Sequence, residues 1–161
     1  MNKELVDMTF SRYYRNDYYT LEEAIDFLWG RNLINVGEMA EQAIAKQGKK
    51  KQTTKGKKGF DFEDDKSDSK YVTVSYYKTS AYACIGGIEN KIGLLRVLAH
   101  EPKQNKNYFF KIPYSVYEPY TKYRDSLKIY FDIEGNPRKP ARSNIRYDLW
   151  DYRCTKKEWV I

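Results

Sequence analysis

Apolar side chains recur at the three- and four-residue spacing of a helix in two segments near the start of the chain. The first segment begins at a capping box, residues 20–23, and predicts a short helix that ends near Trp29. The second begins at the cap signal of residues 35–38 and predicts a helix that ends near Gln47. Gly48 suits the position that follows a helix end.

Shorter segments rich in β-branched and aromatic residues predict strands. The predicted strands are residues 59–62, 68–77, 94–99, 108–113 and 127–131. A turn at residues 63–66 would join the first two strands as a hairpin. The polar, glycine-containing residues between 77 and 94 indicate a connection, and a short helix broken by Pro119 is predicted at residues 115–123.

Helices followed by strands in this order indicate an α+β fold with a mixed central sheet. The 161 residues are enough for a single domain with a real core. We expect that core to span about residues 20–131, and residues 132–161 to form a basic C-terminal segment.

The charge of the chain indicates what kind of partner the protein binds. The net charge is +7, which favours an acidic partner such as nucleic acid or an anionic surface. Residues 46–58 contain seven lysines and no acid, and a second basic segment spans residues 138–146. The candidate phosphate contacts are Lys49, Lys50, Lys51, Lys55, Lys57, Lys58, Arg138, Lys139, Arg142 and Arg146.

Several classes of protein are excluded by what the chain contains. A single histidine excludes the multi-histidine zinc hydrolases, and Cys84 and Cys154 match no zinc spacing. The glycine spacing of a P-loop is missing, and we expect no organic cofactor. No apolar run is long enough to span a bilayer, and the N-terminal residues have no apolar signal core. We therefore expect no membrane association and a cytoplasmic location, which is the host cytoplasm if the protein is phage-encoded.

The candidate chemistry lies in the acidic stretch after the lysine run. If the predicted turn forms, Asp61 faces Asp68 across the hairpin, and Lys70 points to the same face as Asp68 because side chains alternate along a strand. Oxygen ligation of this kind suits Mg²⁺, which would polarise a phosphate and lower the pKa of a bound water. Lys70 would orient that water or stabilise the developing charge. Glu41, or Glu38, on the preceding helix could supply another carboxylate.

An acidic helix residue, then an Asp, then Asp-x-Lys on a strand resembles the PD-(D/E)XK nuclease superfamily, which includes many restriction enzymes and some homing endonucleases. The residues that carry the resemblance are Glu41, Asp61, Asp68 and Lys70, and "NKIGLLRV" and "YFFKIP" follow them as in small phage-type endonucleases. The resemblance covers about residues 35–115. No Pro precedes Asp61, and only six residues separate Asp61 from Asp68, which requires a tight hairpin.

The resemblance implies a restriction-endonuclease-like αβββαβ core and Mg²⁺-dependent hydrolysis of phosphodiester bonds in double-stranded DNA. Asp61, Asp68 and Glu41 would be the metal ligands, Lys70 would act on the transition state, and Mn²⁺ could substitute for Mg²⁺. Among these enzymes, a phage homing-type endonuclease is favoured on resemblance alone. A small enzyme that must cut both strands suggests a homodimer.

Four alternatives remain open from the sequence. Glu89-Asn90-Lys91 has the same acid-x-Lys form, although the neighbouring glycines favour a loop there. The acids of residues 61–70 could form a solvated turn that only balances the lysine run. The protein could then be a non-catalytic nucleic-acid-binding protein, or a phage structural or host-takeover protein with a protein partner.

Overall fold

The computed structural model describes residues 36–53, 60–121, 127–139 and 148–161. Several sequence predictions lie outside these described residues. They are the helix at residues 20–29 and the candidate phosphate contacts Lys55, Lys57, Lys58, Arg142 and Arg146.

Five consecutive strands separate the first two described helices. The helices are α1 (Val36–Gln47), α2 (Tyr114–Thr121) and α3 (Lys156–Val160), with one 3₁₀ turn at Leu149–Tyr152. The strands are β1 (Asp68–Thr73), β2 (Ser75–Tyr76), β3 (Ala81–Ile85), β4 (Leu95–Glu101), β5 (Lys106–Ile112), β6 (Leu127–Phe131) and β7 (Arg153–Cys154). None of the described helices has the length and apolar character needed to cross a membrane.

The strands form two sheets. The first is mixed, with the order β1-β4-β5-β7, and β1 runs parallel to β4 while the other neighbours are antiparallel. The second is antiparallel, with the order β2-β3-β6. The predicted α+β fold with a mixed sheet is therefore confirmed at this level.

The predicted hairpin of residues 59–62 with 68–77 is wrong. The second of these segments divides at Val74 into β1 and β2, which belong to different sheets, and Phe62 bridges Gln52 instead. The physical reason is β4, whose seven residues are all buried and which needs a strand partner on each side. It takes β5 on one side and β1, in parallel, on the other.

The turn itself nevertheless closes at the predicted place. The amides of Asp61 and Phe62 both donate to the carbonyl of Ser67, at 3.0 and 3.1 Å. Asp61 is thereby held beside the start of β1 without belonging to a strand. The local contact was predictable from the sequence, and the sheet partner was not.

Two apolar clusters lie on opposite sides of β4. Leu95, Val97 and Ala99 belong to a cluster that the second sheet covers, whereas Leu98 packs with α1, Phe62 and α3. Side chains alternate along a strand, so a strand buried on both faces contributes to both clusters. This arrangement fixes α1 against the sheet on the side where β1 begins.

The core extends beyond the predicted limit at residue 131. Leu149, Trp159 and Val160 are all buried, so part of the expected basic segment is core. Gly48 shows how closely α3 approaches, because a Cβ at that position would lie 1.6 Å from the carbonyl oxygen of Val160. The residue with left-handed backbone is Lys49, at φ 53°, so Gly48 is required for packing and not for its backbone conformation.

Candidate active site

The five acids of residues 61–68 divide into two groups with different partners. Glu63, Asp64 and Asp65 contact the lysine run and Arg96. Asp61 and Asp68 form the second group: their charges act on Glu41 of α1, and Asp68 forms an ion pair with Lys91. The two sequence interpretations, a charge-balancing turn and a carboxylate site, therefore apply to different members of the same stretch.

Asp68 is the most enclosed member of the second group. It begins β1 opposite Leu95 of β4, and it is only 3% exposed. The neighbouring carboxyl group of Asp61 contributes to the raised pKa of Asp68. Asp61 is positioned in turn by the amide of Ser69, which donates to Oδ2 at 2.8 Å. The backbone of one strand thus holds both carboxyl groups together.

Burial and neighbouring charges raise the pKa of two acids of this group, Glu41 and Asp68. Burial raises the pKa of Glu41 to about 7, and the negative charges of Asp61 and Asp68 add to that rise. Burial also raises the pKa of Asp68 to about 6, and its contact with Asp61 acts in the same direction while Lys91 opposes it. Such a cluster holds protons near neutral pH, which a cation could replace.

The lysine beside Asp68 is Lys91, not Lys70. The Nζ of Lys91 lies 2.9 Å from Oδ2 of Asp68, and its side chain is 18% exposed. The Nζ of Lys70 instead donates to the carbonyl of Gly87 at 3.3 Å. The structure therefore combines the acid of one sequence motif, Asp68-Ser69-Lys70, with the lysine of the other, Glu89-Asn90-Lys91. Glu89 itself is exposed.

Tyr117 is a neighbour that the sequence did not identify. It is fully buried on α2, and its hydroxyl donates to the carbonyl of Gly93. Burial raises the pKa of Tyr117, and the charge of Asp68 raises it further. Nothing in the local sequence distinguishes this tyrosine from the other fifteen, because only the packing of α2 brings it to Asp68.

The possible metal ligands of the site are carboxylate oxygens, and Mg²⁺ prefers oxygen ligands of this kind. Within the described ranges, no three His, Cys, Asp or Glu side chains lie close enough together to hold a metal ion. Asp61 and Asp68 form a pair, and their negative charges raise the pKa of Glu41. A Mg²⁺ ion commonly takes only one or two protein carboxylates and completes its shell with water and phosphate, so a pair is a sufficient anchor.

Arg96 anchors Asp65, one member of the other group of acids. It is 1% exposed, and its guanidinium contacts Asp65 at 2.7 Å, Ser67 at 3.2 Å, and the carbonyls of Trp159 and Ile161. Burial alone would raise the pKa of Asp65, but hydrogen bonds from Ser67 and Arg96 outweigh it and lower that pKa to about 2. Asp65 is thus a permanent anion with a structural role.

The candidate phosphate contacts differ in how closely they are paired with acidic side chains of the protein itself. Lys50 lies 3.5 Å from Asp65, and Lys51 lies 2.9 Å from Glu63 while remaining 73% exposed. Lys49 and Arg138 are exposed. Lys139 is 83% exposed and approaches Asp148 only at 3.9 Å. Exposed ammonium groups with weak ion pairs remain able to contact phosphate.

In comparisons with known proteins, no family model and no curated protein matches this sequence.

Proposed function

We propose that this protein is a Mg²⁺-dependent DNA endonuclease with a restriction-endonuclease-like core. The observation that carries the proposal is the enclosed Asp68, which lies beside Asp61 and Glu41 and forms an ion pair with Lys91. An enclosed carboxylate with two neighbouring acids has no evident structural purpose, since the pKa values of Glu41 and Asp68 are raised by burial and by the neighbouring carboxylates.

Each side chain has a defined part in this proposal. Asp61 and Asp68 would hold the Mg²⁺ ion, which when bound would polarise a phosphate and make a water molecule more acidic. Glu41, with its pKa near 7, is suited to accept a proton at neutral pH. Lys91, held at Asp68, would offer positive charge where negative charge develops on the phosphate. Lys70, two residues from Asp68, would help to orient the strand being cut.

A non-catalytic nucleic-acid-binding protein is the second candidate. It is favoured by the ion pairs of Lys50 and Lys51 with the acidic turn, which show that part of this stretch balances local charge. It is also favoured by the lack, among the described residues, of three side chains at metal-binding distance. Both candidate functions predict binding to nucleic acid, but only the endonuclease predicts cleavage. A cleavage assay therefore distinguishes them directly.

The test is incubation of the protein with supercoiled plasmid and phage DNA in the presence of Mg²⁺, Mn²⁺ or EDTA. The endonuclease proposal expects nicked or linear products with either metal and none with EDTA. Linear products without an accumulation of nicked circles would support a homodimer that cuts both strands. Binding without cleavage under any metal condition would favour the second candidate.

The pKa values predict how Mg²⁺ should stabilise the protein as pH changes. The folded pKa values of Glu41 and Asp68 are raised, so bound protons stabilise the cluster at low pH, and this stabilisation is lost as pH rises through about 6 and 7. A metal ion would replace those protons. We expect Mg²⁺ to raise the thermal midpoint more at pH about 8 than at pH about 5, as measured by differential scanning fluorimetry.

The matched control for this measurement is Glu41→Gln, which removes the group with the higher pKa and keeps the shape. In this variant, the rise of the thermal midpoint caused by Mg²⁺ should differ less between the two pH values than it does in the wild-type protein. A Mg²⁺ effect of equal size at both pH values in the wild-type protein would contradict a metal site at these carboxylates.

A further inference from the structure

The second sheet has a face that the carboxylate site does not use. Its inward positions, such as Ala83, Ile85 and Ile129, are buried in the core. Opposed residues of an antiparallel pair share a face, so the pairs Tyr82–Tyr130 and Cys84–Lys128 lie together on the outer side. The strand residues on this outer face are Ser75, Tyr82, Cys84, Lys128 and Tyr130, and Tyr77, which follows β2, stacks on Tyr82.

The tyrosine rings on this face are ordered by one another. The rings of Tyr77 and Tyr82 stack with centroids 5.0 Å apart and planes 24° apart, and Tyr130 lies 6.2 Å from Tyr82. The Nζ of Lys128 lies over the ring of Tyr82 at 4.7 Å. Tyr77 is 53% exposed, so one end of this stack is open to solvent. An exposed aromatic ring held in place presents a flat surface at little further loss of side-chain entropy.

The charge of the face defines the partner that it fits. The strands β2, β3 and β6 contain no acidic residue, Lys128 lies on the face, and Lys78 is exposed in the adjoining turn. A ligand with flat aromatic groups at regular intervals and negative charge between them would match both features. Unpaired bases joined by phosphates have this chemistry, whereas the bases of a duplex are already stacked on one another.

We propose that this outer face of the β2-β3-β6 sheet binds single-stranded nucleic acid, with a base stacked on Tyr77 and a phosphate close to Lys128. The proposal goes beyond the endonuclease activity, because the face shares no residue with the carboxylate site. It gives the protein a means to hold an unpaired segment of its nucleic-acid partner.

The test is binding of a fluorescein-labelled oligothymidine of about 12 nucleotides, measured by fluorescence anisotropy in EDTA. We expect Tyr77→Ala to weaken binding about 5- to 150-fold, the range for loss of one stacked base. Tyr77→Phe keeps the ring and should bind as the wild-type protein does. Ile133→Ala, which removes another exposed large apolar side chain at 52% exposure, is the matched control and should also bind normally.

Three binding results would overturn the proposal. They are wild-type protein that does not bind the oligothymidine, a Tyr77→Ala variant that binds as the wild type does, and a Tyr77→Phe variant that loses as much affinity as Tyr77→Ala. Size-exclusion chromatography of the same variants tests whether the face is instead a dimer interface. A wild-type dimer that dissociates in Tyr77→Ala would assign the face to a second copy of the chain and overturn the proposal. The assay needs no metal, so a protein that never cuts DNA could still pass it, and an active endonuclease could fail it.

Discussion

Asp68→Asn should abolish Mg²⁺-dependent cleavage of plasmid DNA while leaving the fold and most DNA binding intact. The substitution removes a charged oxygen ligand with almost no change of shape, at a position that is 3% exposed and adjacent to Asp61. We expect a loss of at least about 10²- to 10³-fold in rate, as for other groups that stabilise charge in a transition state. Binding to DNA should be equal or tighter, because a negative charge near phosphate is lost. The measurements are the rate of plasmid nicking and the affinity for duplex DNA in EDTA.

The two lysines provide the sharper comparison. Lys91→Ala should lower cleavage strongly, because Lys91 is the cation that contacts Asp68, at 2.9 Å. Lys70→Ala should have a smaller effect, since the Nζ of Lys70 contacts the carbonyl of Gly87. Glu89→Gln is the control for the second motif and should keep activity, because Glu89 is exposed. If Lys70→Ala is inactive while Lys91→Ala cuts normally, the lysine of the site has been assigned wrongly.

Much of the fold was predictable because its signals are local. The helix at Val36–Gln47 follows from an apolar stripe and a cap signal within one short segment. The strands Leu95–Glu101, Lys106–Ile112 and Leu127–Phe131 follow from runs of β-branched, aliphatic and aromatic residues. Each of these predictions depends on residues that are neighbours in sequence.

The errors arose where partners are distant in sequence. The parallel pairing of β1 with β4 joins segments that begin 27 residues apart, and a local hairpin signal cannot indicate it. Strand Ala81–Ile85 was predicted as part of a connection because the residues between 77 and 94 are polar and contain glycine, yet Ala81, Ala83 and Ile85 form the buried face of β3. Tertiary packing overrode propensity at that position.

The candidate site shows the same division. The pairing of Asp61 with Asp68 was predictable because a short turn brings them together. The contact of Lys91, and not Lys70, with Asp68 was not predictable, because Lys91 reaches Asp68 from a loop after β3. The separation of Asp65 from the site was not predictable either, since its partner Arg96 lies on the distant strand β4.

Arg96→Met should lower the free energy of unfolding by about 3 kcal/mol, near the lower end of the range for breaking a buried ion pair. Arg96 is 1% exposed and connects the acidic turn, through Asp65 and Ser67, to the carbonyls of Trp159 and Ile161. Methionine fills a similar volume but leaves these oxygens without their donor. Asp65 is 30% exposed and can regain some water, which is why the lower end applies. For a chain of this size, the thermal midpoint should fall by roughly 6–12 °C.

The matched control is Lys51→Met, which breaks the ion pair with Glu63 at a side chain that is 73% exposed and should leave the midpoint almost unchanged. Adding Asp65→Asn to Arg96→Met should restore part of the lost stability, because the unpaired charge is then removed. The turn between Asp61 and Asp68 contains Asp65, so Arg96→Met should also lower cleavage at temperatures where the variant remains folded. A midpoint equal to that of the wild-type protein would show that Arg96 does not fix the turn, and the preorganisation of Asp61 beside Asp68 would then need another cause.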